Sequence, residues 1–331
     1  MQRNTSSFKV LFDVAFLTIW MTVMGGSAVG AQPSGYRIGV LTPGGDFGPV
    51  LEGLRQGLAQ LGYEEGKQIS FIIEDTKMET LDPVKSAMRL LEAKPHLLVT
   101  VAISHTAAAK QVTETVPIVF TMSTEPVQSG FVAGYSSSKN NLTGVSNTVA
   151  ALSGKRLELL KEIAPGMKRA LAVVSVNESI AQISFQSLVE PAKKFGVQII
   201  RRDVTTKEEL EKVLLDTPKG SVDAMFHVPS LLLRSHIALL VEKSKKDKLP
   251  FSVHTEELVK KGALVSYGED YGRVGIQAAR IVIKVLNGIK PSEIPIETPE
   301  RPLLAINFAT AKIIGLKVPR QVVDRVDHKV E

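Results

Sequence analysis

Short loops that follow apolar runs carry several polar and aromatic side chains. The first, at positions 42–48, holds Asp46 and Phe47 among three glycines, and glycine lets backbone amides approach a bound molecule. Asp46 could pair with the ammonium group of a ligand, and Phe47 could stack on it. The alternative is an ordinary turn in which Asp46 caps the next helix. The glycine spacing is not G-x-G-x-x-G, which argues against a nucleotide site.

A second loop, after the apolar run at positions 97–102, contains Ser104, His105 and Thr106. The two hydroxyls can cap the following helix, and together with its free backbone amides they would form a carboxylate site. Capping alone is the alternative. His105 has no second metal-type ligand near it in the sequence, so we expect no metal site. The next loop offers Thr124 and Glu125, which serve either a ligand contact or a structural turn.

The second half of the chain repeats this pattern. Asn177 and Ser179 follow the apolar run at 170–175, and Ser230 follows the run at 223–228. Tyr267 ends a further apolar run, and its ring can stack on a ligand while its hydroxyl donates a hydrogen bond. Packing at a hinge is the alternative for Tyr267. Together these side chains predict a binding site for a small organic molecule.

Catalytic signatures are missing from the sequence. It has no cysteine, which excludes disulfides, thiolate metal sites and cysteine nucleophiles. It also lacks the G-x-S-x-G, H-E-x-x-H and Walker patterns of hydrolases, zinc proteases and nucleotide-binding loops. A pair of acid–base carboxylates stays open, because sequence spacing does not exclude one. These observations favour capture of a solute without a cofactor over its chemical conversion.

Short apolar runs alternate with helix-period segments along the chain, which is the pattern of parallel sheets covered by helices. The predicted strands are 37–41, 69–74, 97–102, 117–122, 170–175, 197–204, 223–228, 251–253, 263–267 and 303–307. The predicted helices are 49–61, one that begins after Asp82, 106–113, 155–163, 180–195, 207–215, 231–246, 271–286, 309–314 and 320–328. Positions 123–148 are rich in turn residues and lack periodicity, so we interpret them as a crossover between lobes.

About 300 residues remain after position 31, more than one hydrophobic core comfortably holds. We therefore predict an α/β protein with two doubly wound, parallel-sheet lobes. Ligands of open α/β sheets bind at the carboxyl ends of the strands, where loops and helix N-termini present backbone N–H groups. Two such edges that face each other would form a ligand cleft, closed by a hinge.

The N-terminus has the features of a cleaved export signal. Arg3 and Lys9 precede an apolar run at 10–24, and small residues end at Ala31, as a signal peptide over residues 1–31 requires. Cleavage after Gly30 fits nearly as well. An uncleaved anchor is disfavoured because a spanning helix needs about 20 predominantly apolar residues. No cysteine follows the run, which excludes a lipoprotein anchor. We expect an extracytoplasmic, periplasmic protein.

Charge is modest and mixed along the chain. The formal net charge is +6, and the basic run at 243–248 lies at the end of a predicted helix. A solvated helix end explains such a run better than a nucleic-acid patch. We therefore expect no nucleic-acid partner.

Several stretches resemble the substrate-binding proteins of ABC transporters in the tryptophan/tyrosine-type group. Their order and spacing, from Tyr36 to the end of the chain, carry the resemblance. The stretches are 37–44, 56–66, 116–120, 154–161, 265–268, 306–312 and 315–319. The resemblance implies a type I periplasmic-binding fold with three crossings between lobes. It implies lobes at 36–146 plus 268–292 and at 147–267 plus 293–331.

The same resemblance implies a function and partners. The protein would be a monomer that captures an amino acid or related small carboxylate and delivers it to a membrane permease driven by a cytoplasmic ATPase. Two positions depart from the family: Glu125 replaces the usual Asp before Pro126, and Ser230 stands where amino-acid-binding relatives carry an Asp. A serine hydroxyl cannot neutralise an ammonium group, so the ligand class stays open. A sensory ligand-binding module and an enzyme on the same fold are the alternatives.

Overall fold

The structure, a computed structural model, describes residues 35–78 and 80–331. The predicted signal peptide at 1–31 lies outside the described residues. Within the described ranges, no helix combines the length and the apolar character needed to cross a membrane.

The first sheet has five parallel strands in the order β2-β1-β3-β4-β5, a doubly wound order. Its strands are β1 (Tyr36–Thr42), β2 (Ile69–Asp75), β3 (Leu97–Val101), β4 (Ile118–Thr124) and β5 (Leu142–Asn147). The helices between these strands are α1 (Gly48–Gln60), α2 (Pro83–Glu92) and α3 (Ile103–Val112). Every residue of β3, β4 and β5 is buried, as expected for parallel strands covered on both faces.

The second sheet has seven strands in the order β12-β11-β10-β9-β8-β6-β7. They are β6 (Arg169–Ser175), β7 (Gln198–Val204), β8 (Ala224–Phe226), β9 (Phe251–Val253), β10 (Val265–Glu269), β11 (Pro302–Asn307) and β12 (His328–Val330). The run β7-β6-β8-β9-β10 repeats the winding of the first sheet. Strand β11 pairs antiparallel with β10, and β12 pairs parallel with β11.

The remaining helices cover the second sheet, apart from one that returns to the first. They are α4 (Ser153–Ile163), α5 (Ser179–Lys194), α6 (Lys207–Leu215), α7 (Leu231–Ser235), α8 (Ile237–Asp247), α9 (Glu256–Lys260), α10 (Tyr271–Leu286), α11 (Phe308–Ile314) and α12 (Arg320–Val323). Helix α10 joins the core of the first sheet, where Val274, Ala278 and Val282 pack with Leu54 of α1.

The chain crosses between the two sheets three times. It leaves the first sheet after β5 and returns at the junction of β10 and α10. It leaves again after Glu297, which bridges to Val145 of β5, and enters the second sheet at β11. The lobe boundaries given in the sequence analysis remain predictions. The two sheets nevertheless define the two lobes used below: the first lobe contains β1–β5 and α10, and the second contains β6–β12.

Local signals explain where several elements begin. Asp82 accepts hydrogen bonds from the backbone of Val84 and Lys85 and so caps α2, with Pro83 at its first position. Thr206 caps α6 in the same way. Gly315 ends α11 in a left-handed conformation, which glycine adopts at little cost.

Four expectations about the elements were wrong. The segment at 123–148 contains strand β5. The predicted helix at 231–246 is interrupted at His236 and forms α7 and α8. The predicted helix at 320–328 is only the short α12, followed by edge strand β12. Helix α3 begins at Ile103, with Ala102 as N-cap and no side-chain cap, so neither Ser104 nor Thr106 caps it.

Candidate functional site

A cavity of about 520 Å³ lies between the two lobes. Its walls come from the loops at the carboxyl ends of strands in both sheets, and from the segments that cross between the lobes. This volume lies within the range of about 300–1,000 Å³ that is usual for small-molecule sites.

The cavity is lined mainly by apolar side chains. Aromatic rings come from Phe47, Phe131 and Tyr271. Aliphatic and thioether groups come from both lobes, and include Ile103, Met122, Val149, Ile180, Ile183 and Leu231. Such a lining suits a ligand with an apolar body, and leaves orientation to a few polar groups.

One polar edge of the cavity is the N-terminus of α3, which Ala102, Ile103 and Ser104 bring to the surface of the site. Ala102 has a φ of 74°, which turns the chain sharply from β3 into the helix. Within the described part of the chain, no acceptor binds the backbone N–H groups of Ile103 and Ser104. A helix N-terminus with free N–H groups favours a negatively charged group.

The opposite wall contains a second helix start, that of α7, and its N–H groups are already bound. The Ser230 hydroxyl accepts from the Leu233 backbone N–H at 3.0 Å. The Glu178 carboxylate accepts from the Leu231 and Leu232 backbone N–H groups at 2.6 and 3.2 Å. Both side chains line the cavity, but part of their hydrogen-bonding capacity holds α7 in place.

Arg234 is the main cation of the cavity wall and is 3% exposed. Its guanidinium donates to the Tyr271 hydroxyl at 2.9 Å and lies 2.9 Å from Nε2 of His254. It also lies 3.5 Å from the Asp46 carboxylate and 4.7 Å from the centre of the Phe47 ring. Arg234 therefore joins the second lobe to the first.

Phe47 and Tyr271 stack on each other beside this cation. Their ring centres are 5.5 Å apart and their planes differ by 13°. Burial raises the pKa of the Tyr271 hydroxyl above its usual range, so the group stays protonated at neutral pH while it accepts from Arg234. Arg234, Phe47 and Tyr271 therefore form one packed wall: the two rings stack on each other, and the guanidinium lies over both rings.

Behind Arg234 lies a buried histidine pair. His254 and His227 stack with ring centres 5.0 Å apart, and their Nδ1 atoms are 3.2 Å apart. Burial, and then the positive charges of Arg156 and Arg234, hold the pKa of each well below its ordinary value. Burial also lowers the pKa of Arg156, to about 9. The histidines are therefore neutral at physiological pH, and only His254 of the pair borders the cavity.

Glu269 lies where the chain passes from β10 to α10, and its carboxylate lines the cavity. One oxygen accepts from both the backbone N–H and the hydroxyl of Thr148, which follows β5. Burial raises the pKa of Glu269 to about 7, and the two hydrogen bonds from Thr148 oppose this only in part. The Glu269–Thr148 contact ties together two of the three crossover segments.

The structure places five of the predicted site residues on the cavity wall: Phe47, Ser104, Asn177, Ser179 and Ser230. They come from both lobes and from four separate loops. Asp46 lies next to the wall, where it is the anion that Arg234 and Lys261 share.

The other predicted residues do not line the cavity. His105 is buried behind Ser104, with its Nε2 2.8 Å from the Thr76 hydroxyl. Thr106 contacts the hydroxyls of Thr100 and Ser123.

Thr124, Glu125 and Tyr267 also lie off the wall. Thr124 donates to the side-chain oxygen of Asn147 at 2.7 Å and thereby orients a residue that does line the cavity. Glu125 has a φ of 44° in the turn after β4, and Tyr267 packs on the apolar core of the second sheet.

Sequence reasoning missed Arg234, Glu269, Tyr271 and Asn147 as wall residues. Arg234 stands inside a segment that the sequence predicts as one continuous helix, so its position gave no signal of a site. Glu269 and Tyr271 flank the junction of β10 and α10, and the Gly268-Glu269-Asp270 turn before a predicted helix was the signal that could have found them.

Comparison with known proteins identifies the family and supports the fold. The sequence profile of the family "ABC transporter substrate binding protein" matches residues 46–330, so the chain belongs to that family. The expected two-lobed α/β architecture and the resemblance to the tryptophan/tyrosine-type group are confirmed. The protein is accordingly a solute-binding component, and its relatives are binding proteins.

Individual relatives are distant but cover most of the chain. The tyrosine-binding protein of Clostridioides difficile (strain R20291) is 25% identical over 266 residues, which is 80% of this chain and 76% of that one. A conserved domain protein from Vibrio cholerae has a TM-score of 0.82 and 25% identity, and covers 89% of this chain and 99% of its own. An ABC domain in complex with L-Trp from Streptococcus pneumonia has a TM-score of 0.81 and 22% identity, with 90% and 100% covered.

Proposed function

We propose that this protein is the extracytoplasmic receptor of an ABC importer for an aromatic amino acid or a related small carboxylate. The observation that carries the proposal is the cavity itself, because residues of both lobes line it and most of the lining surface is apolar. A solute with a ring would lie among Phe47, Phe131 and Tyr271. Burial of such a ring supplies most of the binding free energy.

The polar end of the solute requires a separate site. The backbone N–H groups of Ile103 and Ser104 have no acceptor among the described residues, and together with the Ser104 hydroxyl they suit a carboxylate at the start of α3. Asn177 and Ser179 offer further polar contacts from the second lobe. The tyrosine-binding relative and the relative solved with L-Trp support this ligand class.

Membership of the family supports delivery of the solute to a permease. A monomer that closes on its solute would dock on the membrane permease, and a cytoplasmic ATPase would drive transport. Export through the N-terminal signal and a periplasmic location belong to the same proposal. No conversion of the solute is expected.

A ligand screen tests the proposal. The purified protein is heated with L-tryptophan, L-tyrosine, L-phenylalanine, L-leucine, aromatic carboxylic acids and purines, and hits are measured by calorimetry. A ligand at a hundred times its Kd stabilises the folded protein by about 2.7 kcal/mol, and micromolar binding corresponds to about 8 kcal/mol. We expect the aromatic amino acids or acids to give the largest shifts, and to be recovered unchanged.

A matched pair of variants shows where the ligand binds. Ile183→Trp fills the cavity and should abolish the shift, whereas Ile313→Trp places the same ring on an exposed position of α11 and should bind as the wild type does. A hit that Ile183→Trp leaves unchanged would move the site elsewhere. A complete lack of aromatic hits would remove the proposed ligand class.

A further inference from the structure

Among the described residues, three charged side chains line the cavity: Glu178, Arg234 and Glu269. The charges of the first two are compensated by the protein. Glu178 lies at the N-terminus of α7 and accepts two of its backbone N–H groups, and Arg234 has the Asp46 carboxylate and two aromatic rings around it. Glu269 differs from both.

Glu269 has no cationic partner within the described part of the chain. Its side chain is buried, with 6% of the residue exposed, and Thr148 supplies both of its hydrogen bonds to a single carboxylate oxygen. The second oxygen receives no hydrogen bond from any described residue. A carboxylate in this position is held in one orientation by Thr148 and still has an acceptor to offer to the cavity.

Burial of a charged carboxylate without a counter-ion costs free energy, unless a ligand supplies the missing positive charge. A buried carboxylate without a counter-ion loses its hydration, and this is why the pKa of Glu269 is raised. A protonated amine entering the cavity would supply both the missing charge and a donor to the second oxygen. Charge-assisted hydrogen bonds of this kind are about twice as strong as neutral ones.

We propose that the Glu269 carboxylate binds a protonated amine of the solute, so that the pocket selects amine-bearing ligands over their desamino analogues. This inference rests on the proposed function and narrows its ligand class. It places the cation-binding group at the second crossover, between β10 and α10, and not on Ser230, whose hydroxyl already accepts from the Leu233 N–H. The carboxylate end of a zwitterion would then lie toward α3, and its ring among the apolar residues.

Paired ligands and an isosteric variant test the inference. Calorimetry compares two pairs of ligands: L-tryptophan with indole-3-propionate, and L-tyrosine with 3-(4-hydroxyphenyl)propionate. The amines tryptamine and tyramine, which lack the carboxylate, are measured as well. Each ligand is tested on the wild type, Glu269→Gln and Glu300→Gln. The amide introduced by Glu269→Gln keeps an acceptor for Thr148 but has no charge, and Glu300 is an exposed acid on the third crossover that pairs with Arg280. We expect the wild type and Glu300→Gln to prefer the amine of each pair by about tenfold to a hundredfold. Glu269→Gln should reduce that preference to near parity.

The outcomes separate the two proposals. Equal binding of amine and desamino compounds by the wild type, or an unchanged preference in a folded Glu269→Gln protein, would overturn the role of Glu269 and leave the aromatic ligand class standing. If neither kind of compound binds the wild type, the proposed function fails, and the inference fails with it. Circular dichroism and the thermal midpoint of each variant confirm that a lost preference does not come from unfolding.

Discussion

At the residue scale, Asp46 has two cationic partners in the second lobe that differ in burial. The side chain of Arg234 is 2% exposed and that of Lys261 is 44% exposed. Arg234 also binds His254 and Tyr271, whereas Lys261 extends from the surface. Because an exposed pair is screened by water and a buried one is not, the two bridges should contribute very differently to stability.

Replacement of each cation by methionine measures this difference. We expect Arg234→Met to lower the free energy of unfolding by about 3 kcal/mol, since it leaves the Tyr271 hydroxyl and His254 without their donor. Lys261→Met should cost less than about 1 kcal/mol. Urea denaturation of the two variants provides the measurement. Similar losses in both would mean that burial does not govern this contact.

At the element scale, helices α1 and α10 of the first lobe pack on each other through a close backbone contact. Because α10 directly follows the second crossover, this contact fixes the end of the crossover on the first lobe. A Cβ atom built on Gly53 would lie 1.9 Å from the Gly272 carbonyl oxygen, and one built on Gly275 would lie 2.0 Å from the Val50 carbonyl oxygen. Neither contact has a flexible side chain that could move away. Glycine at these positions therefore sets the distance between the helices.

Alanine at Gly53 should destabilise the protein although alanine is the better helix former by about 1 kcal/mol. Separation of the two backbones should outweigh that gain, for a net loss of about 2 kcal/mol. Gly166→Ala is the control, because its Cβ would meet no atom within 4 Å and the change should be neutral or stabilise by about a few tenths of a kcal/mol. Thermal melting of both variants tests the prediction, and a stabilised Gly53→Ala protein would contradict it.

Helices and strands with a strong local sequence signal were predictable from the sequence, whereas those without such a signal were not. The spacing of Leu51, Leu54 and Leu58 predicts α1, and Asp82 followed by Pro83 predicts the start of α2. Strand β12 has no such signal, because it is three residues long and its form depends on pairing with β11. Strand β5 was not predicted because its sequence contains Gly144. The φ of Gly144 is 155°, which residues with a side chain rarely adopt, and a Cβ atom built there would collide with the backbone of Phe120 in β4.

At the scale of the whole molecule, buried histidines limit stability in acid. Burial lowers the pKa of His105 to about 4, and the pKa values of His227 and His254 also lie well below the ordinary value. As the pH falls from about 6.5 toward 4, the unfolded chain takes up protons that the folded protein cannot accept. Glu269 acts in the opposite direction, because its raised pKa favours the folded state at low pH and that contribution is lost as the pH rises through about 7.

Three histidines outweigh one carboxylate, so we expect the melting temperature to fall steadily between about pH 6.5 and pH 4. His105 alone accounts for about 3 kcal/mol over that range. His105→Asn should therefore be less stable at neutral pH, since it loses the contacts to Thr76 and Ser104, but should show a shallower decline in acid. Melting curves at half-unit pH intervals provide the test, and parallel curves for the two proteins would contradict this assignment.

The sequence by itself determined the α/β class, the division into two lobes, the family and five of the residues on the cavity wall. These features follow from local periodicity, from loop position after each strand and from the order of motifs along the chain, all of which can be read without knowing which residues meet in space. Only the tertiary structure decided which polar groups remain available to a solute. Ser230 and Glu178 bind the start of α7, Asp46 pairs with two cations, and Glu269 lies at the cavity without a counter-ion in the described chain. Burial and charge compensation arise between residues distant in sequence, and so they cannot be inferred from any one segment.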